Sequence, residues 1–377
     1  MEYWRHGRTV VPLGGTFENV DETLQFIGEF EQESILQRTQ SLRFKVDEEA
    51  FLRIELGEQD YFITYTALKD LCKLLKVPAS FINKFPPSTL MLENLNRNPY
   101  LQEENLSLRL NIWKWENNLV IAGIMPEEIP TISLREYLEM QRDYDMFSRK
   151  GVDTESIVIT GEEVVVYFLL EEEMEGNGFL FRSGYALHFS PTRATDTYIV
   201  PFYKMQVTAP TGEPFDFDFE SAKKLRVARR KKKDFIELTN RFATSYNGED
   251  LGIDFNNTLK KGELCRQLSS VRFGILKMLK SRATSIFNYS GMRAEPGLVV
   301  DEVIPEYRQF IAANRERMKG MENYEINTLP VDFYLPLYLN RIYTFPPAGE
   351  NPYFLLKYRK TIGTLLEKLL EETSNQF

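Results

Sequence analysis

Two histidines (His6 and His188), two cysteines (Cys72 and Cys265) and fifty-five acidic side chains are the residues from which any chemistry in this 377-residue chain must be drawn. A Cys/His zinc site needs four soft ligands at close spacing, and the chain does not supply them. A nucleophile activated by histidine would have to use His6, five residues from the N-terminus, or His188. The latter alternates with Leu187 and Phe189 and reads as a histidine of a β-strand, with chemistry there as the alternative. No G-x-x-x-x-G-K-[ST] run and no G-x-G-x-x-G before a helix is present, so phosphate-cradling loops lack their signature. The acids Asp216 and Asp218 lie in Pro214-Phe-Asp-Phe-Asp-Phe-Glu220, a strict alternation of rings and carboxylates. Period two puts the rings on one face of a strand and the acids on the other. The expected reading is an edge strand with a wet acidic face; a carboxylate metal site for a nuclease is the alternative. Glu171, Glu172, Glu173 and Glu175 read as a solvated loop. The chemistry-bearing residues thus point away from an enzyme, and no cofactor is expected.

The strongest chemical signal is charge. The chain carries a formal −9 with a pI near 5.2, which excludes a protein that coats duplex DNA indiscriminately. Yet Ser221 to Ala294 holds nine lysines and eight arginines against six acids, a net +11, which leaves −20 on the remainder. At about 100° per residue, Lys223, Arg226, Arg230 and Lys233 share one face of a helix expected over Ser221–Tyr246, with Leu225, Ala228, Phe235, Leu238 and Phe242 gathered opposite. A second helix, expected over Leu259–Phe287, repeats the design: Leu264, Leu268, Val271, Ile275 and Met278 form a stripe, and Arg266, Phe273, Lys277 and Lys280 lie opposite. Cations that follow phosphates and a ring that stacks on bases suit single-stranded nucleic acid. Two alternatives remain for these faces: docking on the acidic half of this chain or of a second copy, and simple solvation.

The elements that would hold these residues follow from periodicity. A short helix is expected near Glu22–Phe30, strands at Ser41–Val46, Phe51–Leu56 and Tyr61–Thr64, and helices at Thr66–Lys76 and Ser88–Leu95. Leu106–Trp115 and Leu119–Ile124, split by Asn117-Asn118, predict a hairpin. A helix over Ile132–Arg142 precedes strands at Ser156–Ile159, Glu163–Leu170, Phe179–Phe189 and Tyr198–Thr208. Further helices are expected at Pro305–Met321 and Phe354–Glu372. The fold class is α+β, with a mixed N-terminal half (1–150), a central antiparallel sheet (151–220) and a helical C-terminal third (221–377). No apolar run approaches a membrane span, and no secretory leader or disulfide framework is evident, so a cytoplasmic protein is expected. The acidic tail, Glu371-Glu372-Thr-Ser-Asn-Gln-Phe377, reads as a frayed terminus, with partner recruitment as its alternative.

The run from Thr64 to Leu71, then Lys76-Val-Pro-Ala-Ser-Phe-Ile82, Lys84-Phe-Pro86, Asn94-Leu-Asn96, Leu108-Arg-Leu110 and Val120-Ile-Ala-Gly-Ile124, resembles the phage- and plasmid-encoded family of domain of unknown function 932. The likeness covers Tyr61 to Arg142 and, more loosely, the strands to Thr208. An Arg-x-x-Cys-x-Asn stretch frequent in that family has no counterpart here, since no cysteine lies between Phe189 and Phe219. The resemblance implies a mobile element in a bacterial cytoplasm, working on replicating or recombining DNA or on host defence, and it carries no catalytic residues. Together these readings lead to a non-enzymatic protein that binds nucleic acid, single-stranded DNA above all, through Lys223, Arg226, Arg230, Lys233, Arg266, Phe273, Lys277 and Lys280. The alternative is a protein-interaction module, host-directed or self-assembling, that uses the same helices.

Overall fold

The computed structural model describes residues 14–49, 51–78, 89–102, 106–115, 117–127, 132–143, 151–160, 163–176, 179–191, 197–208, 214–221 and 225–226, and one face of a C-terminal helix at positions 352–364. Two sheets carry this α+β architecture. The first has six strands: β2 (Glu31–Arg38), β3 (Leu42–Val46), β4 (Leu52–Leu56), β5 (Gln59–Ile63), β6 (Ser107–Trp115) and β7 (Asn118–Pro126). Their order is β2-β6-β7-β5-β4-β3, antiparallel except where β5 runs beside β7. The expected hairpin is β6–β7; Asn117, at φ 68°, supplies the left-handed residue that its tight turn requires.

One face of this sheet is covered by α2 (Tyr65–Leu74) and α3 (Thr89–Asn96). The α2 helix starts where Thr64 Oγ1 accepts from the Ala67 amide at 3.1 Å, and its Leu68, Leu71 and Cys72 enter the core. Burial pushes the Cys72 thiol up to about 12, so it stays an inert core residue. At the open edge, Asn96 stands in for a missing strand: its side-chain amide both accepts from the Phe44 amide and donates to the Phe44 carbonyl.

The second sheet has β1 (Gly15–Phe17), β8 (Val152–Ile159), β9 (Val164–Gly176), β10 (Phe179–Phe189), β11 (Tyr198–Thr208), β12 (Pro214–Glu220) and β13 (Leu225–Arg226). The order is β1-β8-β9-β10-β11-β12, antiparallel throughout, with β13 also paired to β11. Glu171 and Glu173 belong to β9, not to a loop; that hairpin continues to Gly176 because β10 extends to Phe179 opposite it. Arg226 likewise stands in a strand, opposite Tyr198, so the helix expected from Ser221 does not include it. Ser221 donates its amide to the Pro201 carbonyl, and β13 pairs with β11 at Tyr198 and Ile199. Open strand edges compete with local helix propensity, and here pairing prevails. The helices expected at Leu259–Phe287 and Pro305–Met321 lie outside the described residues.

Residues 163–169 are all buried, without alternation, because both faces of the second sheet are covered. On one face lie α1 (Val20–Phe30) and α4 (Leu134–Asp143), which also join the first sheet through Phe30 and Trp113, 5.0 Å apart. Tyr137 of α4 stacks on Phe189 at 4.3 Å. Glu31 locks the two helices together: its carboxylate accepts from the amides of Leu134 (2.9 Å) and Arg135 (3.2 Å) at the start of α4. Burial outweighs these hydrogen bonds and raises the Glu31 carboxyl to about 6 from its usual 4.5. A raised carboxylate favours the protonated folded state, so this contribution to stability is full below pH 4.5 and is lost as pH rises through 6. A Glu31→Gln variant is expected to remove about 1–2 kcal/mol of pH dependence across that window, read as the difference in urea midpoints from the parent at the two pH values.

On the other face the sheet curls around the C-terminal helix. Four strand spacings separate β8 from β12, about 19 Å if the sheet were flat. Yet the single guanidinium of Arg359 donates to Ser156 of β8 (3.4 Å) and to Asp218 of β12 (2.9 Å). Lys204 of β11 likewise reaches Glu155 of β8 at 2.7 Å. Bulges between Thr154 and Ser156 and between Arg182 and Gly184 supply the bending. Gly184 is required at the second, where a Cβ would overlap the Phe168 carbonyl.

Candidate functional site: a buried charge cluster on the concave sheet face

Among the described residues, the buried acidic, basic and imidazole side chains are Glu163, His188, Asp218, Glu220 and Arg359, and all five meet at one place. Register explains the gathering. His188 faces Val165 on β9 and Tyr198 on β11, and odd-numbered β9 positions share its side of the pleat, so Glu163 and Tyr167 point the same way. The acids of β12 lie on that face also: Asp218 opposite Lys204, and Glu220 opposite Phe202.

The helix completes the cluster. Pro352, Leu355, Leu356, Arg359, Lys360, Gly363 and Thr364 are helical and recur at the three-and-four spacing of one face. Leu355 and Leu356 pack with Val158, Val165, Tyr167, Val200 and Phe202, while the next turn brings two cations to the same surface. Arg359 lies 4.0 Å over the Tyr167 ring and grips Asp218 through Nε and Nη2. Lys360 Nζ donates to Glu163 Oε1 at 2.9 Å. Gly363 is pressed against the backbone of Glu220.

His188 sits between two carboxylates. Its Nδ1 is hydrogen-bonded to Glu163 Oε2 at 3.2 Å; its Nε2 lies 3.1 Å from Glu220 Oε1 as an ionic contact, without an aligned hydrogen bond. Tyr198 stacks on the ring at 4.1 Å, and Tyr167 donates its hydroxyl to Glu220 at 2.6 Å. Three carboxylates thus face Arg359, Lys360 and the imidazole. Burial opposes ionisation of Glu163, but Lys360 and His188 outweigh it and hold the carboxyl well below its usual range. Burial of Glu220 is outweighed in the same way by His188 and Lys360, with help from the Tyr167 hydroxyl. Burial would discharge Lys360 and Arg359, yet the facing carboxylates keep both charged.

The His188 side chain is 0% exposed and that of Glu220 1%, so no substrate reaches this acid–base arrangement while the helix is seated. Its chemistry is that of an anchor. The acidic face expected to be wet is thereby corrected at Asp218 and Glu220: the helix covers it and supplies counter-charges. Asp218, held by two guanidinium nitrogens, is not offered to a metal ion, and no metal-holding group occurs among the described residues.

Of the basic residues expected to form an interface, Arg226 lies on β13, and Lys223, Arg230, Lys233, Arg266, Phe273, Lys277 and Lys280 lie outside the described residues. Sequence reasoning overlooked Glu163, Tyr167, Glu220, Arg359 and Lys360 as a group. The signal was present: Leu355-Leu356 and Arg359-Lys360 share one helix face, so the cations lie on the apolar stripe rather than opposite it. No helix among the described residues is long and apolar enough to cross a membrane.

No family model, curated protein or solved structure matches the chain.

Proposed function

We propose that this protein binds single-stranded nucleic acid, DNA in preference, through the basic segment Ser221–Ala294 carried on an acidic β-rich body. The observation that supports this reading is the partition of charge, +11 on the segment against −20 elsewhere. Among the described residues, Asp218 and Glu220 are engaged by Arg359, Tyr167 and His188. Strand β13 and the C-terminal helix rest on the same sheet, and positions 227–351 run from one anchor to the other. In this reading the cations contact phosphates, Phe273 stacks on a base, and the protein acts without catalysis in replication or recombination of phage or mobile-element DNA in a bacterial cytoplasm.

The test is fluorescence anisotropy with labelled single-stranded and duplex oligonucleotides across a salt series. Preference for single strands and a steep loss of affinity with salt are expected, as is a marked weakening in a Lys277→Glu/Lys280→Glu variant. Stacking of about 1–3 kcal/mol per base predicts a loss of roughly fivefold or more in Phe273→Ala. Absence of binding at low salt would overturn the proposal. The second reading, a contact of the basic segment with another copy, retains Glu171 and Glu173 of β9, which are exposed. It predicts an oligomer that dissociates with salt in light scattering.

A further inference from the structure

The charges buried in the described part of the molecule are not spread through it. The core between the first sheet and α2 and α3 and the core around α1 and α4 are built from apolar and aromatic side chains. The buried acids and cations are concentrated where the C-terminal helix meets the concave face. There the helix presents Leu355 and Leu356 to an apolar surface and Arg359 and Lys360 to carboxylates. We propose that the C-terminal helix is an acid-released strap, which leaves the concave sheet face as a unit while the rest of the fold stays intact.

Among the described residues, the groups facing the strap are Ser156 of β8, Glu163 and Tyr167 at the start of and within β9, His188 of β10, Tyr198 of β11, and Asp218 and Glu220 of β12. When the carboxylates are ionised, Asp218 answers Arg359, and Glu163 and Glu220 answer Lys360 and His188. When Glu163 and Glu220 take up protons, Lys360 is left facing them without their charge. A buried charge without its partner is among the most costly arrangements in a protein interior. Solvent access to this cation requires only that the helix move away.

The sign follows from the carboxylates. Glu163 and Glu220 are held below their usual range in the seated state; departure of the helix removes Lys360, the largest lowering influence on Glu163 and a lesser one on Glu220, where His188 and Tyr167 remain. Their contribution is therefore present above the ordinary carboxylate value and disappears as pH falls through and below it.

Hydrogen exchange of the full chain, read by mass spectrometry at pH 7 and at about pH 4 with labelling times scaled for intrinsic exchange, tests this directly. Peptides covering 352–364 should lose protection by about fourfold or more at the lower pH, the factor that Glu163 supplies half a pH unit below its ordinary 4.5, with the lesser share of Glu220 added. Peptides from 52–63 and 118–126 should keep theirs, and a return to neutral pH should restore the original pattern. In Glu163→Gln the helix should already exchange faster at pH 7. In Lys360→Met, which removes the cation paired with Glu163, the helix should exchange faster at pH 7 and the difference between the two pH values should shrink relative to the parent. Exchange of all regions in one step, or a helix as protected at pH 4 as at pH 7, would overturn the proposal. So would a Lys360→Met chain whose acid response equals that of the parent, which covers the case in which Glu163→Gln does not fold.

Discussion

Replacing Arg359 by methionine is expected to destabilise the C-terminal helix and the sheet it closes by about 3–5 kcal/mol, the cost typical of removing one partner from a buried ion pair. Methionine keeps a long side chain over the rings of Tyr167 and Phe202, so most of the packing survives. What it removes is the guanidinium that neutralises Asp218 and bridges to Ser156. The Asp218 carboxylate would then be desolvated without a counter-charge, and the helix would lift to let water reach it. Asp218→Leu in the same chain should return most of the loss, because exchanging both partners of a buried pair for apolar groups is often close to neutral. Denaturant titration of the parent, the single variant and the double variant separates the alternatives. If the double variant is no more stable than the single one, Arg359 acts through shape and not through its charge.

The same pair shows where reading the sequence reaches and where it stops. The strand Pro214–Glu220 was legible in its extent and in its alternation, since period two depends only on local backbone geometry. What covers its acidic face was not, because the covering element lies 141 residues further along, at Arg359. Position on a strand is a local property; which face is wet depends on a partner that spacing alone does not disclose. The hairpin at Asn117-Asn118 and the helices at α1, α2, α3 and α4 were legible for the same local reason, their turns, caps and stripes being written within ten or so residues. Local logic also misled at Arg226. A helical face can be drawn through Lys223, Arg226, Arg230 and Lys233, but the free edge of β11 at Tyr198–Ile199 takes Leu225 and Arg226 as a strand. His188 read as a sheet histidine, and it is one; its two carboxylate neighbours come from residues 25 and 32 positions away in sequence.

Gly363→Ala should lower stability by about 1–3 kcal/mol, toward the upper end, although alanine is the better helix former. The two expectations have opposite signs, which makes the substitution decisive for how the helix is seated. On an exposed helix face the change would raise stability by roughly 0.5–1 kcal/mol, because glycine loses more backbone freedom on folding. At position 363, however, the new Cβ would overlap the carbonyl oxygen and carbon of Glu220, and a backbone group on a paired strand does not step aside as a side chain does. The helix itself must move, and Lys360 lies one turn away with its ammonium 2.9 Å from Glu163. A displacement of an ångström there lengthens the ion pair and opens a gap under Leu355 and Leu356, so steric and electrostatic losses arrive together. Thr364→Ala, at the neighbouring exposed position, should change stability by no more than about 0.5 kcal/mol. Thermal unfolding of both variants beside the parent gives the comparison. An alanine at 363 that stabilises the protein would mean that the helix does not rest on Glu220, and the buried charge cluster would lose the close approach on which its distances depend.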